Sequence, residues 1–153
     1  MTRVLLVVAG SLVAVAGVVV AGMRWKWPLV LGAIKRLNRR VFNPIQLRSA
    51  GTPGAYAGII RHVGRVSGTR YETPVGAVPT ETGFAIVLPY GTTPDWLKNV
   101  VAAGHAELVA EGATHQVAVP RVVERTTIPG VIPDEFSLRL LAVDQVLLLD
   151  RAG

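Results

Sequence analysis

The chain has 153 residues, 50% of them apolar and 17% charged, with a mean hydropathy of +0.43, which is one domain's worth of sequence and too apolar for a disordered chain. Cysteine is absent, which excludes disulfide frameworks, thiolate nucleophiles and cysteine-based metal sites. The net charge of +6 is split unevenly: residues 1–70 carry eleven Lys/Arg and no Asp or Glu, and all ten acidic residues lie beyond them.

The first element, Val4 to Met23, is a run of twenty uncharged residues with Ser11 as its only hydroxyl. A helix of that length crosses the ~30 Å hydrocarbon layer, so residues 1–23 are read as an N-terminal transmembrane helix. The alternatives are a buried core helix or a cleaved secretory signal, with Arg3 as its basic start, Leu5–Val13 as its apolar centre and Ala14-Val15-Ala16 as its cleavage site. The flank favours the anchor. Arg24, Lys26, Lys35, Arg36, Arg39 and Arg40 follow the apolar run, and such clusters stay on the cytoplasmic side. A single-pass protein of the cell membrane, its C-terminal domain facing the cytoplasm, is the expectation.

Residues 24–44 read as a basic juxtamembrane segment. Trp25 and Trp27 stand where an interfacial aromatic belt belongs, and Pro28 suits the first position of a helix to about Phe42. Leu29, Val30, Ala33, Ile34, Leu37, Val41 and Phe42 recur at intervals of three and four, with Lys35, Arg36, Arg39 and Arg40 largely on the other side. Such a helix either lies on membrane lipids or packs its apolar stripe on the domain. No reading-helix or RNP-type motif accompanies the charge, so no nucleic-acid partner is expected.

Residues 45–153, after Asn43-Pro44 and the Gly51-Thr52-Pro53-Gly54 break, alternate short apolar runs with turns. Strands are predicted near Tyr56–Val63, Tyr71–Val78, Phe84–Pro89, Ala106–Glu111, His115–Val122 and Val146–Leu149. A helix capped by the Thr92-Thr93-Pro94-Asp95 stretch should turn Trp96, Val100 and Val101 to one face and stop at Gly104, and a shorter one should cover Asp134 to Leu141. The fold class is mainly β with α: about six antiparallel strands forming a small barrel or sandwich.

Conventional catalytic inventories are thin. His62, His105 and His115 are isolated from one another and from carboxylates at ligand spacing, so no metal site is expected. There is no Walker loop, Rossmann fingerprint or nucleophile elbow. Any redox chemistry would come from something bound. The informative stretch runs from Gly64 to Val75, where two glycines permit a tight turn with free backbone N–H groups, and Ser67, Arg65 and Arg70 add donors suited to phosphate or carboxylate. A solvated hairpin tip would have the same composition.

The block Gly64-Arg65-Val66-Ser67-Gly68…Thr73-Pro74-Val75, then Val87-Leu88-Pro89-Tyr90-Gly91, then Asp95-Trp96-Leu97-Lys98-Asn99-Val100 with Ala102-Ala103-Gly104, resembles the deazaflavin-dependent nitroreductase family of actinobacteria over about residues 45–150. The resemblance implies a split β-barrel that binds the deazaflavin coenzyme F420. It assigns Arg65, Val66, Ser67 and Gly68 to the coenzyme's phosphate and polyglutamate tail, with Tyr71, Thr73, Pro74, Val75 and Gly76 lining the same groove. Arg70 is added on its charge. Leu88, Pro89, Tyr90 and Gly91 would face the deazaflavin ring, and Asp95, Trp96, Lys98 and Asn99 would close over it.

Family members carry basic residues where this chain has Val66 and Tyr71, and they carry C-terminal tyrosines that it lacks. The expected activity is hydride transfer from reduced deazaflavin to a small lipophilic acceptor such as a quinone, with Tyr90 or solvent as the proton source. The alternatives are a non-enzymatic split-barrel module that holds a lipid, a fatty acid or the deazaflavin, and an FMN-binding barrel. Related split barrels commonly pair, so a homodimer belongs among the expectations.

Overall fold

Alternating burial along six strands turns one face of each inward and closes the sheet on itself. The computed structural model describes residues 2–132 and 135–152, with side chains from Val8 onward except that of Glu135. The strands are β1 (Ala57–Val63), β2 (Arg70–Pro79), β3 (Gly83–Val87), β4 (His105–Ala110), β5 (Ala113–Glu124) and β6 (Gln145–Arg151). They form a closed antiparallel barrel in the order β1-β2-β3-β6-β5-β4, with β4 returning to β1. The expected antiparallel barrel is therefore present, with strand ends differing by at most two residues.

Ile60, Val75, Phe84, Ile86, Leu108, Val117, Leu147 and Leu149 are part of the main core cluster. Side chains, not a channel, occupy a barrel this small. All of β3 is buried, because Ala85 and Val87 on its other face join a second cluster with Ile132, Val143 and Val146. Gly83 marks the tightest crossing: a Cβ there would stand 1.9 Å from the Leu149 carbonyl oxygen on β6. β5 bulges between Ala118 and Arg121, where Val119 takes a φ of 52° and donates its N–H to Gly104. That backbone is costly for a β-branched residue.

The helices are α1 (Thr2–Arg24), α2 (Pro28–Leu37), α3 (Asn43–Gln46), α4 (Asp95–Ala103) and α5 (Glu135–Leu140). Residues 133 and 134, including the expected helix start at Asp134, lie outside the described residues. The predicted helix from Pro28 to Phe42 is instead α2 followed by a wider π-helical turn, Asn38–Phe42, that leads into α3.

The expected membrane anchor falls partly on residues 1–7, whose side chains are outside the described set. Among the described residues no single helix is long and apolar enough to cross a membrane. The helical stretches Val8–Arg24 and Pro28–Gln46 meet that test of length and composition only as a pair, bent by 109°. The bend sits at Lys26, with φ of 55°, and Gly22 lets Val30 approach where any Cβ would clash at 2.4 Å. Arg24 and Lys26 then donate to the carbonyls of Arg139 and Ala142 at 3.0 Å each, tying the bend to the end of α5.

At α4 the predicted threonine cap is replaced by Pro94, which has no side chain able to cap. The Thr93 hydroxyl is engaged elsewhere, donating to the Tyr90 carbonyl at 3.1 Å and accepting from Lys35 Nζ at 2.7 Å. Leu97 and Val100 are buried, Trp96 packs against the same core, and Val101, expected beside them, is exposed. One residue is 100° of helix, so Val101 falls past the edge of a stripe set by Leu97 and Val100. Gly104, at φ of 74°, ends the helix as predicted.

Candidate functional site

The turn between β1 and β2 is built by glycines. Gly64 donates to the Thr69 carbonyl and Gly68, at φ of 66°, donates to that of Gly64, both at 2.8 Å. A Cβ on Gly64 would meet Ser67 Oγ at 2.4 Å, so any larger residue there would push the Ser67 hydroxyl out of its present position. Thr69 N–H donates to Ser67 Oγ at 3.3 Å, and Arg65 N–H donates to Asn99 Oδ1 at 3.1 Å. The expectation of a turn with generally free N–H groups is thereby narrowed. Among the described residues, only the N–H groups of Val66 and Ser67 within Gly64–Thr69 lack a partner.

Arg65 is held from α4. Its Nη1 donates to Asn99 Oδ1 at 2.9 Å, and both Nη atoms reach Asp95 Oδ1 at 3.2 Å. Asp95 is largely exposed, so this ion pair orients the guanidinium more than it stabilises the fold. Asn99 is buried and its amide is fixed: Oδ1 accepts twice from Arg65, so Nδ2 donates to His62 Nδ1 at 3.2 Å. The His62 proton is then on Nε2 and donates to Thr73 Oγ1 at 3.3 Å. Tyr71 stacks on the imidazole with ring centres 5.6 Å apart.

His62 is thus no stray strand histidine but the buried end of a chain of contacts leading to Arg65 and Asp95. Burial lowers its pKa below the ordinary 6.5, keeping it neutral at physiological pH. A proton on Nδ1 would face the Asn99 amide N–H, forcing the amide to turn and depriving Arg65 of both contacts. Because the folded-state pKa is the lower one, this contribution to stability is fully present above the unfolded value of 6.5 and declines as pH falls toward the folded value. Denaturant melts across this range should show that decline in the native chain, and His62→Gln should flatten it. Identical profiles would contradict the linkage.

Beside this turn, between the barrel and the α2–α3 segment, lies a cleft of about 820 Å³. Of the residues singled out from sequence, Arg65, Val66, Ser67, Tyr71, Thr73, Pro74, Val75, Gly76, Leu88, Pro89, Tyr90, Asp95, Trp96 and Asn99 line it. Gly68, Arg70, Gly91 and Lys98 do not. Cations that the sequence placed on a separate helix also line it: Lys35, Arg36 and Arg39, with Asn38 between them. They add positive charge to a lining in which the turn contributes the uncharged Val66 and Tyr71.

Asn38 donates its amide to the Tyr90 hydroxyl. Burial raises the Tyr90 pKa, so the phenol keeps its proton, and among the described residues no acceptor takes that proton. Leu88 and Pro89, predicted to end β3, lie beyond it in a turn closed by the Gly91 N–H on the Leu88 carbonyl at 3.0 Å. Among the described residues there is no group of three or more His, Cys, Asp or Glu able to hold a metal ion.

No family's sequence profile and no curated protein matches the chain. Among the solved chains that are similar, one aligns over 63% of this chain and 72% of its own length, at 11% identity and a TM-score of 0.42, a likeness too loose to carry function.

Proposed function

We propose that the cleft holds reduced coenzyme F420 and that the chain is a membrane-anchored oxidoreductase serving a lipophilic acceptor such as a quinone. The observation that carries this reading is convergence: the Arg65 turn, the cations of α2 and its π-helical continuation, and the later stretch from the Leu88–Tyr90 turn to the start of α4 line one cleft. The residues suit such a group. A volume of about 820 Å³ lies within the usual range for cofactor sites. Arg65, Lys35, Arg36 and Arg39 supply cations for a phosphate and carboxylates, and Leu88, Pro89 and Trp96 supply an apolar wall for a flat ring.

When bound, the deazaflavin supplies the hydride. Arg65, oriented by Asn99 and Asp95, holds the anionic tail. Tyr90, bonded by Asn38 and protonated, is the residue we assign to give a proton to charge developing on the acceptor. The α1 helix, uncharged from Val8 to Met23, anchors the barrel beside the membrane that holds its acceptor.

Oxidation of reduced deazaflavin by a quinone in micelles containing the full chain tests turnover. Quinone-dependent oxidation is expected, and binding without oxidation would leave a holding module. Tyr90→Phe should bind the coenzyme as the native chain does and turn over about a hundredfold more slowly, within the usual range for a lost general acid. Unchanged turnover would assign the proton to solvent.

A further inference from the structure

We infer that α2 and its continuation to Gln46 form a plate lying flat on an anionic membrane, with its apolar edge in the lipid and its cationic edge turned into the cleft. The inference deepens the anchoring part of the proposed function and is independent of which cofactor the cleft holds.

An amphipathic helix in water turns its apolar stripe inward. Here, of the large apolar side chains, only Val30, Leu31 and Ile34 are half-buried, and a second apolar row faces outward. Leu29, Leu37, Val41 and Ile45 are all exposed, Leu29 by 84%. Ala33, also exposed, completes a row with a spacing of four. Phe42 beside them is exposed as well. On another side of the segment Lys35, Arg36 and Arg39 border the cleft, Arg36 and Arg39 remaining exposed and Lys35 tied to Thr93. Asn38 adds its bond to Tyr90 in the same direction. Contacts from both Lys35 and Asn38 thus fix the orientation, and they leave the apolar row on the exposed side of the segment.

Charge and geometry identify what covers it. The first acidic residue of the chain is Glu72, and Arg24, Lys26, Arg40 and Arg48 flank the row as exposed cations. That pattern complements anionic headgroups, whereas a second copy of the same face would bring like charges together. The row continues into the exposed apolar surface of α1 through Trp25 and Trp27, which stack with ring centres 6.1 Å apart. Tryptophan favours the headgroup level. The 109° bend between the two helical stretches means that when α1 stands along the membrane normal, α2 lies nearly in its plane. The cleft beneath α2 is then held at headgroup depth, where a lipid-borne acceptor reaches it without crossing water.

The chain has no cysteine, so single labels are easily placed. Leu37→Cys, Val41→Cys and, on the turn between β2 and β3, Glu81→Cys are each labelled with bimane. The full chain is reconstituted into vesicles of brominated phosphatidylcholine with or without phosphatidylglycerol. Labels at 37 and 41 should be quenched at least threefold more than the label at 81, and the difference should shrink when phosphatidylglycerol is omitted. Equal quenching at all three positions would overturn the inference. So would a signal at 37 and 41 that follows the protein-to-lipid ratio, because the row would then be covered by a second copy. Deazaflavin titration of the same samples separates this result from a failure of the cofactor reading.

Discussion

Arg65→Ala is expected to weaken binding of oxidised deazaflavin by roughly ten- to 150-fold while leaving thermal stability nearly unchanged. The range corresponds to the loss of one charge-assisted bond to an anion, about 1.5–3 kcal/mol. Stability is spared because the bond between the Arg65 backbone N–H and Asn99 Oδ1 survives, and because the abandoned carboxylate of Asp95 is 82% exposed and returns to water. Calorimetry of the variant and the native chain checks affinity, and a thermal melt checks stability. Unaltered affinity would move the anion site away from the turn. A melt lowered along with affinity would make Arg65 a structural residue.

The largest loss of stability is expected at Phe84, the first inward side chain of β3. It is 1% exposed, its ring centre lies 4.9 Å from that of His115, and the Arg151 guanidinium stands 4.9 Å over its face. Phe84→Ala empties a barrel interior whose wall is closed by hydrogen bonds and cannot collapse into the space, and such truncations cost about 3–5 kcal/mol. At roughly 2–4 °C per kcal/mol for a chain of this size, the melting temperature should fall by about 10 °C. Phe84→Leu, which refills much of the volume, should recover more than half of that loss. A barrel that tolerated alanine here would contradict the assignment of Phe84 to the interior.

The barrel was legible because its strands are punctuated. Gly64 and Gly68, Thr82-Gly83 and Glu111-Gly112 each lie at or beside a connection between consecutive strands, and the alternation between them has a period of two. Strand ends were less legible: Leu88 and Pro89 look like strand, but the Gly91 turn takes them out of it. The site was legible where its residues are local, as in Arg65 to Tyr71.

What sequence could not reveal depends on distant partners. His62 looks isolated because Asn99 lies 37 residues away, although the β1–β2 register places Tyr71 opposite His62. The cationic face of the Pro28–Phe42 segment could be read from periodicity. Its direction could not, because that is set by Lys35 on Thr93 and Asn38 on Tyr90, contacts spanning 58 and 52 residues. The π-helical turn at Asn38–Phe42 carries no composition signal of its own. A residue pattern fixes which side chains share a face, and tertiary contacts decide what that face meets.

The central claim, that the cleft takes a deazaflavin, is tested most directly by titrating the full chain in micelles with oxidised F420 and, separately, with FMN, following tryptophan fluorescence. Trp96 lines the cleft while Trp25 and Trp27 lie outside its lining, so Trp96→Phe identifies the quenched residue. The account predicts saturable quenching by the deazaflavin at micromolar concentration or below, none by FMN in that range, and loss of the signal in Trp96→Phe. Binding of neither, or equal binding of both, would contradict it.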